Sequence, residues 1–312
     1  PVQTPFTIFY FVFPAFMMLS GILLRHLGPR RCAVFGGILF GAGWMLASLG
    51  RFDFAFTILG IGLFAGIGVG MAYIVPLSVC IQWFPNHQGV VAGIAVAGFG
   101  GGAALVSQSG GLLMAGMGLS PFDTFLLLGA VFMLLVCFAG ANMINPDTAD
   151  EKIVRPLRFS EVWKEPGFVI LYLAMFTGLA AGFAVNANLT ALFPAGGGAP
   201  GVLAVSIFSL ANAAGRITWG ALCDRMRPAT AITANLLCQS VVLAAAPWIL
   251  TSTAGLQIFS LATGFNYGGV LVVYVSSTAH RWGGQHVGRV YGWLFSANIP
   301  ASAAPILAGF SY

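Results

Sequence analysis

Carboxylates are scarce in this chain. Its 312 residues hold eight acids and 13 Lys or Arg, so that charged side chains make up 7% of the sequence and apolar ones 58%. A soluble domain carries about a quarter charged residues, and that class is excluded. The five cysteines (Cys32, Cys80, Cys137, Cys223, Cys238) show no CxxC spacing, which argues against a disulfide framework or a zinc site and leaves them as small packing residues. The apolar segments hold no metal-ligand spacing, Ser-His-Asp set or carboxylate pair, so an enzyme is not indicated. A basic stripe is missing too: the net charge of +5 is scattered over short loops, unlike a nucleic-acid surface. The fragment "GIGVG" (66–70) has neither the preceding strand nor the following acid of a nucleotide loop, and no cofactor is expected.

What is present is long runs with at most one charged residue each. Ten of them are read at roughly 3–24, 32–50, 55–82, 88–115, 122–144, 167–194, 201–223, 229–251, 255–282 and 288–311. Each approaches or exceeds the ~20 residues that cross a bilayer. With no water to satisfy the backbone there, they must be helical, so the fold class is all-α and polytopic. The stretch "NPDTADEKIVRPLRFSEVWKEP" (145–166) divides the chain into 1–144 and 167–312.

Sliding these parts against each other exposes a repeat. Trp83 and Trp282 lie 199 positions apart, as do His87 and His286, Gly89 and Gly288, Gly93 and Gly292, and Gly21 and Gly220. Tandem copies in one orientation are the sign of a transporter built from two parallel halves. The same offset leaves 167–194 without a mate before Pro1 and 122–144 without one after Tyr312. The chain therefore reads as helices two to eleven of a twelve-helix protein. Eleven of the 13 Lys and Arg fall on one side of these spans, which the positive-inside rule makes cytoplasmic. Arg51 lies on the other side, and Arg216 is left in the membrane. It stands eight positions before Asp224 in "NAAGRITWGALCDR", about 12 Å along a helix. The bland reading is that its long stem snorkels to the interface; the sharper one is a substrate pathway.

The loops carry a resemblance. "GILLRHLGPRR" and "GALCDRMRP" resemble the G-x-x-x-D-[RK]-x-G-[RK] signature of the major facilitator superfamily, with Gly21, Arg25 and Gly28 in one copy and Gly220, Asp224 and Arg225 in the other. "QWFPNHQGVVAGIAVAGFGGG", "NAAGRITWGALCDR" and "VYGWLFSAN" resemble the oxalate:formate antiporter group, relatives of the monocarboxylate porters. The resemblance implies two parallel six-helix halves, alternating access and a small organic anion as substrate. A proton or counter-anion would couple to it. It also implies a functional monomer in a plasma membrane, a bacterial inner membrane for preference. Arg25 departs from the signature, which has aspartate there, and puts the inner-gate latch of the first half in doubt.

By the same resemblance Arg216 occupies the anion-binding position. Asn212, one turn earlier on the same face, stands where monocarboxylate porters often carry an aspartate, and its amide cannot titrate. Asn298 falls where oxalate carriers place a lysine; a single cation suits a monocarboxylate such as formate or lactate better than a dianion. Tyr267, Asn266 and Tyr73 lie away from the interfacial aromatic belts of their segments, and Gln3 is on the first visible helix. Each is a candidate contact, with helix packing or an interhelical hydrogen bond as the bland alternative. The histidines (His26, His87, His280, His286) read as loop structure. Two rivals share the fold: a drug/proton exporter, whose G-x-x-x-G-P-x-x-G-G motif "GFGGGAALVSQ" lacks, and a non-transporting membrane sensor.

Overall fold

A computed structural model describes residues 4–146, 157–189 and 199–309. These form helices and their connections, with no strand among the described residues. Thr4–Arg51, Phe54–Trp83, Pro121–Ala141, Pro166–Asn188 and Thr253–Trp282 are long and apolar enough to cross a membrane. Gln88–Met117 and Ala199–Cys223 add helices of 30 and 25 residues.

The helix ends are punctuated by residues with a mechanical reason to be there. Thr4–Ala47 is broken at Gly28, whose φ of 76° and ψ of 164° leave the helical region. Gly tolerates that φ, and the following Pro29 disfavours a helical residue before it. The two arms, 4–27 and 29–47, correspond to the first two apolar runs. Pro121, Pro166 and Pro228 each open a helix at its first position, where a missing N–H is no loss. Ser120 and Ser252 cap their helices by accepting from the Asp123 and Gly255 N–H groups at 3.2 and 3.1 Å.

Three stretches differ from the sequence reading. The run 288–311 is not one helix but Val287–Phe295, Asn298–Ala301 and Ala304–Gly309, because Pro300 and Pro305 cannot donate into a continuous ladder. Pro228–Ala244 likewise stops short of 251, and a separate turn, Ala246–Ile249, holds Pro247. Within the central stretch, Phe159–Trp163 is a short helix in which the Glu161 carboxylate accepts from the Arg158 N–H at 3.2 Å. In addition Ile58–Ala65 is π-helical.

The chain divides into two compact units. One comprises Pro1–Trp83, Gly102–Leu157 and Gly284–Ser296; the other Phe84–Gly101, Arg158–Gly283 and Ala297–Tyr312. Each unit thus includes a short segment from the other part of the sequence, and the two segments occupy equivalent positions in the 199-residue repeat. The second unit has an apolar core of Val185, Leu189, Ala204, Phe208, Leu256 and Phe259. Above it Ala199–Cys223 and Thr253–Trp282 cross in backbone contact. A Cβ at Gly264 would strike the Phe208 carbonyl, one at Gly215 the Phe265 carbonyl, and one at Gly268 the Asn212 carbonyl.

Candidate functional site

Phe208, Asn212 and Arg216 follow one another at four-residue spacing and share one face of Ala199–Cys223. Asn212 is 6% and Arg216 9% exposed, so the arginine does not snorkel out of the protein. One of its η nitrogens donates to the Val96 carbonyl, and its Nε is buried with no hydrogen-bond partner. No carboxylate pairs with it among the described residues. A buried charge is costly unless paired. The guanidinium thus has one donor engaged and another idle.

Tyr267 stands beside this face. Its ring stacks on Phe208 with centroids 6.0 Å apart and meets Phe183 edge-on at 6.0 Å. Gly182 leaves the room, since a Cβ there would run into the tyrosine ring. Together Arg216, Asn212, Phe208 and Tyr267 make a face that is cationic at one end, amide in the middle and aromatic at the other.

The remaining candidates are more dispersed. Asn266 is buried, and its backbone carbonyl accepts from Asn235 Nδ2 at 2.9 Å. Asn298 is 8% exposed within the turn Asn298–Ala301, and its carbonyl accepts from the Ser302 N–H at 2.9 Å. Tyr73 belongs to the other unit, in an aromatic group with Phe13 and Phe295 at 5.6 Å from each. Gln3 lies outside the described residues. Sequence reasoning missed a neighbouring polar cluster. Asn235 Oδ1, both amide atoms of Gln239 and Trp219 Nε1 are buried without partners. Their one trace in the sequence is that Asn235 and Gln239 are amides four residues apart, and burial is what shows that they face protein.

The signature glycines form seams. In the second unit, a Cβ at Gly220 would strike the Gly89 carbonyl, one at Gly89 the Gly220 carbonyl, and one at Gly93 the Arg216 carbonyl. At the end of this seam Asp224 caps the start of Gln88–Met117, its two carboxylate oxygens accepting from the Gly89 and Val90 N–H groups at 2.6 and 2.9 Å. A carboxylate there also meets the positive end of the helix dipole. Arg225, the next signature residue, is exposed.

The first unit repeats the geometry with different charge. A Cβ at Gly21 would strike the Gly288 carbonyl, and one at Gly292 would come within 3.0 Å of the Met17 carbonyl. Met17 is the repeat mate of Arg216, and Arg25 that of Asp224. Val287–Phe295 receives no side-chain cap from its own N-cap residue, His286. Burial holds the His286 imidazole below its ordinary pKa, and the charges of Arg25 and Arg289 push in the same direction. Gly28 takes its place as the corner before Pro29. No group of three His, Cys, Asp or Glu gathers to hold a metal among the described residues.

Long apolar helices with duplicated glycine seams, and a buried arginine that no acid pairs among the described residues, define a polytopic membrane protein. The comparisons give the family. The model of the Major Facilitator Superfamily matches residues 2–305, and the chain belongs to that superfamily of transporters. The oxalate:formate antiporter of Oxalobacter formigenes is 28% identical over 310 residues, covering 96% of this chain and 73% of that protein. Apicoplast pyruvate carrier 1 of Toxoplasma gondii is 27% identical over 372 aligned residues, covering 95% of this chain and 66% of that protein. Among solved structures, the major facilitator transporter FucP in its outward conformation superposes with a TM-score of 0.73 at 16% identity, over 99% of this chain and 83% of that one.

Proposed function

We propose that the chain carries a small monocarboxylate, such as formate or lactate, across a plasma membrane by alternating access, with Arg216 receiving the carboxylate. The observation that carries this reading is the buried guanidinium whose Nε has no partner and which no acid neutralises among the described residues. A guanidinium fork matches a carboxylate in shape and charge. Asn212 supplies an amide one turn away, and Tyr267 with Phe208 an aromatic surface for the apolar part of the substrate. The names of the relatives, an oxalate:formate antiporter and a pyruvate carrier, agree with a carboxylate. One cation suits one negative charge, so a dianion is the poorer substrate; Asn298 supplies no second cation.

Coupling follows from electrostatics. Importing one uncompensated anion against 100 mV, inside negative, costs about 2.3 kcal/mol. Exchange of like anions removes that cost. Proton symport also does, but Asp53, Asp123, Glu161, Glu165 and Asp224 all lie in loops or at helix ends, which favours exchange. The excess of Lys and Arg on its side supports a cytoplasmic position for the central stretch, 145–166, between halves 1–144 and 167–312.

Counterflow in proteoliposomes tests the reading. Protein reconstituted with internal formate, lactate or oxalate should accumulate labelled monocarboxylate, and Arg216→Gln should abolish accumulation. Absence of counterflow with all three anions in folded protein would remove the proposal, and undiminished uptake in Arg216→Gln would remove Arg216 from the site.

A further inference from the structure

The corner at Gly28 and Pro29 opens beside a groove of about 630 Å³ whose lining includes Arg30, Arg31, Val34, Phe35, Cys137 and Ala141. Both arginines are exposed, and neither meets a carboxylate among the described residues. The apolar wall does not stop at the groove. It continues along the two spanning helices as exposed Phe35, Ile38, Leu134 and Phe138, the last 75% exposed. Apolar side chains exposed on a membrane span face acyl chains, so cationic groups and acyl-chain surface adjoin here.

The molecule contains its own comparison. A groove of about 450 Å³ begins at Pro228, the repeat mate of Pro29, and is lined by Ile170, Ile232, His280 and Arg281. There Arg281 pairs with Glu165 at 3.3 Å and lies over the Trp282 ring at 5.1 Å. Its charge is met by a neighbouring acid, whereas Arg30 and Arg31 meet none among the described residues.

We infer that the Gly28 corner is a binding site for one anionic phospholipid, its phosphodiester held by Arg30 and Arg31 and an acyl chain lying along Val34, Phe35 and Ala141. Basic pockets between membrane helices take acidic headgroups in this way. A soluble phosphate would use the arginines but leave the apolar wall idle, and a zwitterionic lipid brings an ammonium that the two cations repel. This site is independent of the carboxylate reading of Arg216.

The test is lipid retention by the purified full chain, counted by native mass spectrometry with phosphatidylglycerol or phosphatidylcholine of identical acyl chains. Wild type should prefer phosphatidylglycerol. Each arginine contributes about fivefold and the pair about thirtyfold, so Arg30→Gln with Arg31→Gln should erase the preference, whereas Lys at both positions should keep it. Arg281→Gln should leave it intact. Ala141→Trp, which fills the groove with the arginines unchanged, should weaken retention of phosphatidylglycerol. Equal retention of the two lipids by wild type, or an undiminished preference in the double Gln variant, would overturn the inference. Competition by soluble glycerol phosphate as strong as that by phosphatidylglycerol would overturn it in favour of a free anion.

Discussion

Removing the Asp224 carboxylate should loosen the seam it closes, and a neighbouring thiol can report the change. Asp224 accepts from the Gly89 and Val90 N–H groups at 2.6 and 2.9 Å. Bonds to a charged acceptor are worth about 1.5–3 kcal/mol each when dry. Asp224 is only half-buried, so water replaces part of what Asp224→Ala removes, and we take about 2 kcal/mol for the pair, near the upper end for loss of a helix cap. Asp224→Asn keeps an oxygen acceptor without the charge and should cost about 1 kcal/mol. Cys223 is a buried free thiol, and a Cβ at Gly89 would come within 3.0 Å of its own Cβ. The start of Gln88–Met117 therefore covers part of this side chain, and alkylation is expected to speed up when that start lifts away. In the regime where opening precedes labelling, 2 kcal/mol corresponds to about thirtyfold faster modification in Asp224→Ala, and 1 kcal/mol to about fivefold in Asp224→Asn. The assay is time-resolved mass spectrometry of Cys223 labelling, with buried Cys32 as the internal control for global unfolding. A Cys223 rate in Asp224→Ala within twofold of wild type, at unchanged Cys32 labelling, would refute the reasoning.

Further expectations follow from the same geometry. Gly220→Ala drives a methyl into the Gly89 carbonyl and should destabilise by about 1–3 kcal/mol, whereas Gly98→Ala, with nothing within 4 Å, should be neutral or stabilise by up to about 1 kcal/mol; thermal melts in detergent separate the two. His286 has a depressed pKa, so the unfolded chain binds more protons below the ordinary histidine value of about 6.5. Stability should accordingly fall as pH drops below that value, and His286→Gln should flatten this part of the pH profile of the melting temperature. Glu165→Gln breaks the pair with Arg281 at 3.3 Å, but side chains 48% and 40% exposed limit the loss to at most about 0.5 kcal/mol, measurable as a melting shift of a degree or two.

Much of the fold was legible because hydrocarbon simplifies the problem. A run such as 255–282 with no charge before its last turn has one way to satisfy its backbone, and Thr253–Trp282 follows it closely. The repeat was legible as well, since Gly21 and Gly220 are glycines for one steric reason. What escaped was local. Pro300 and Pro305 break the last run, yet Pro14 and Pro76 are accommodated inside helices, and only packing separates the cases. The π-helical Ile58–Ala65 has no sequence signal beyond ordinary apolar residues. At the candidate site, Arg216 stood out because a lone charge in an apolar run is conspicuous. Asn235 and Gln239 did not, because uncharged amides can face lipid headgroups, water or protein, and only burial shows which.

The Gly89 and Gly220 contact also bears on how this protein can change. Where two side chains collide after a mutation, a smaller residue at the partner position restores the fit. Here the partner atom is a main-chain oxygen, and the residue that carries it already has no side chain to lose. A genetic selection for revertants of Gly220→Ala should therefore return glycine itself or distant changes that re-tilt a helix, and no compensating substitution at position 89.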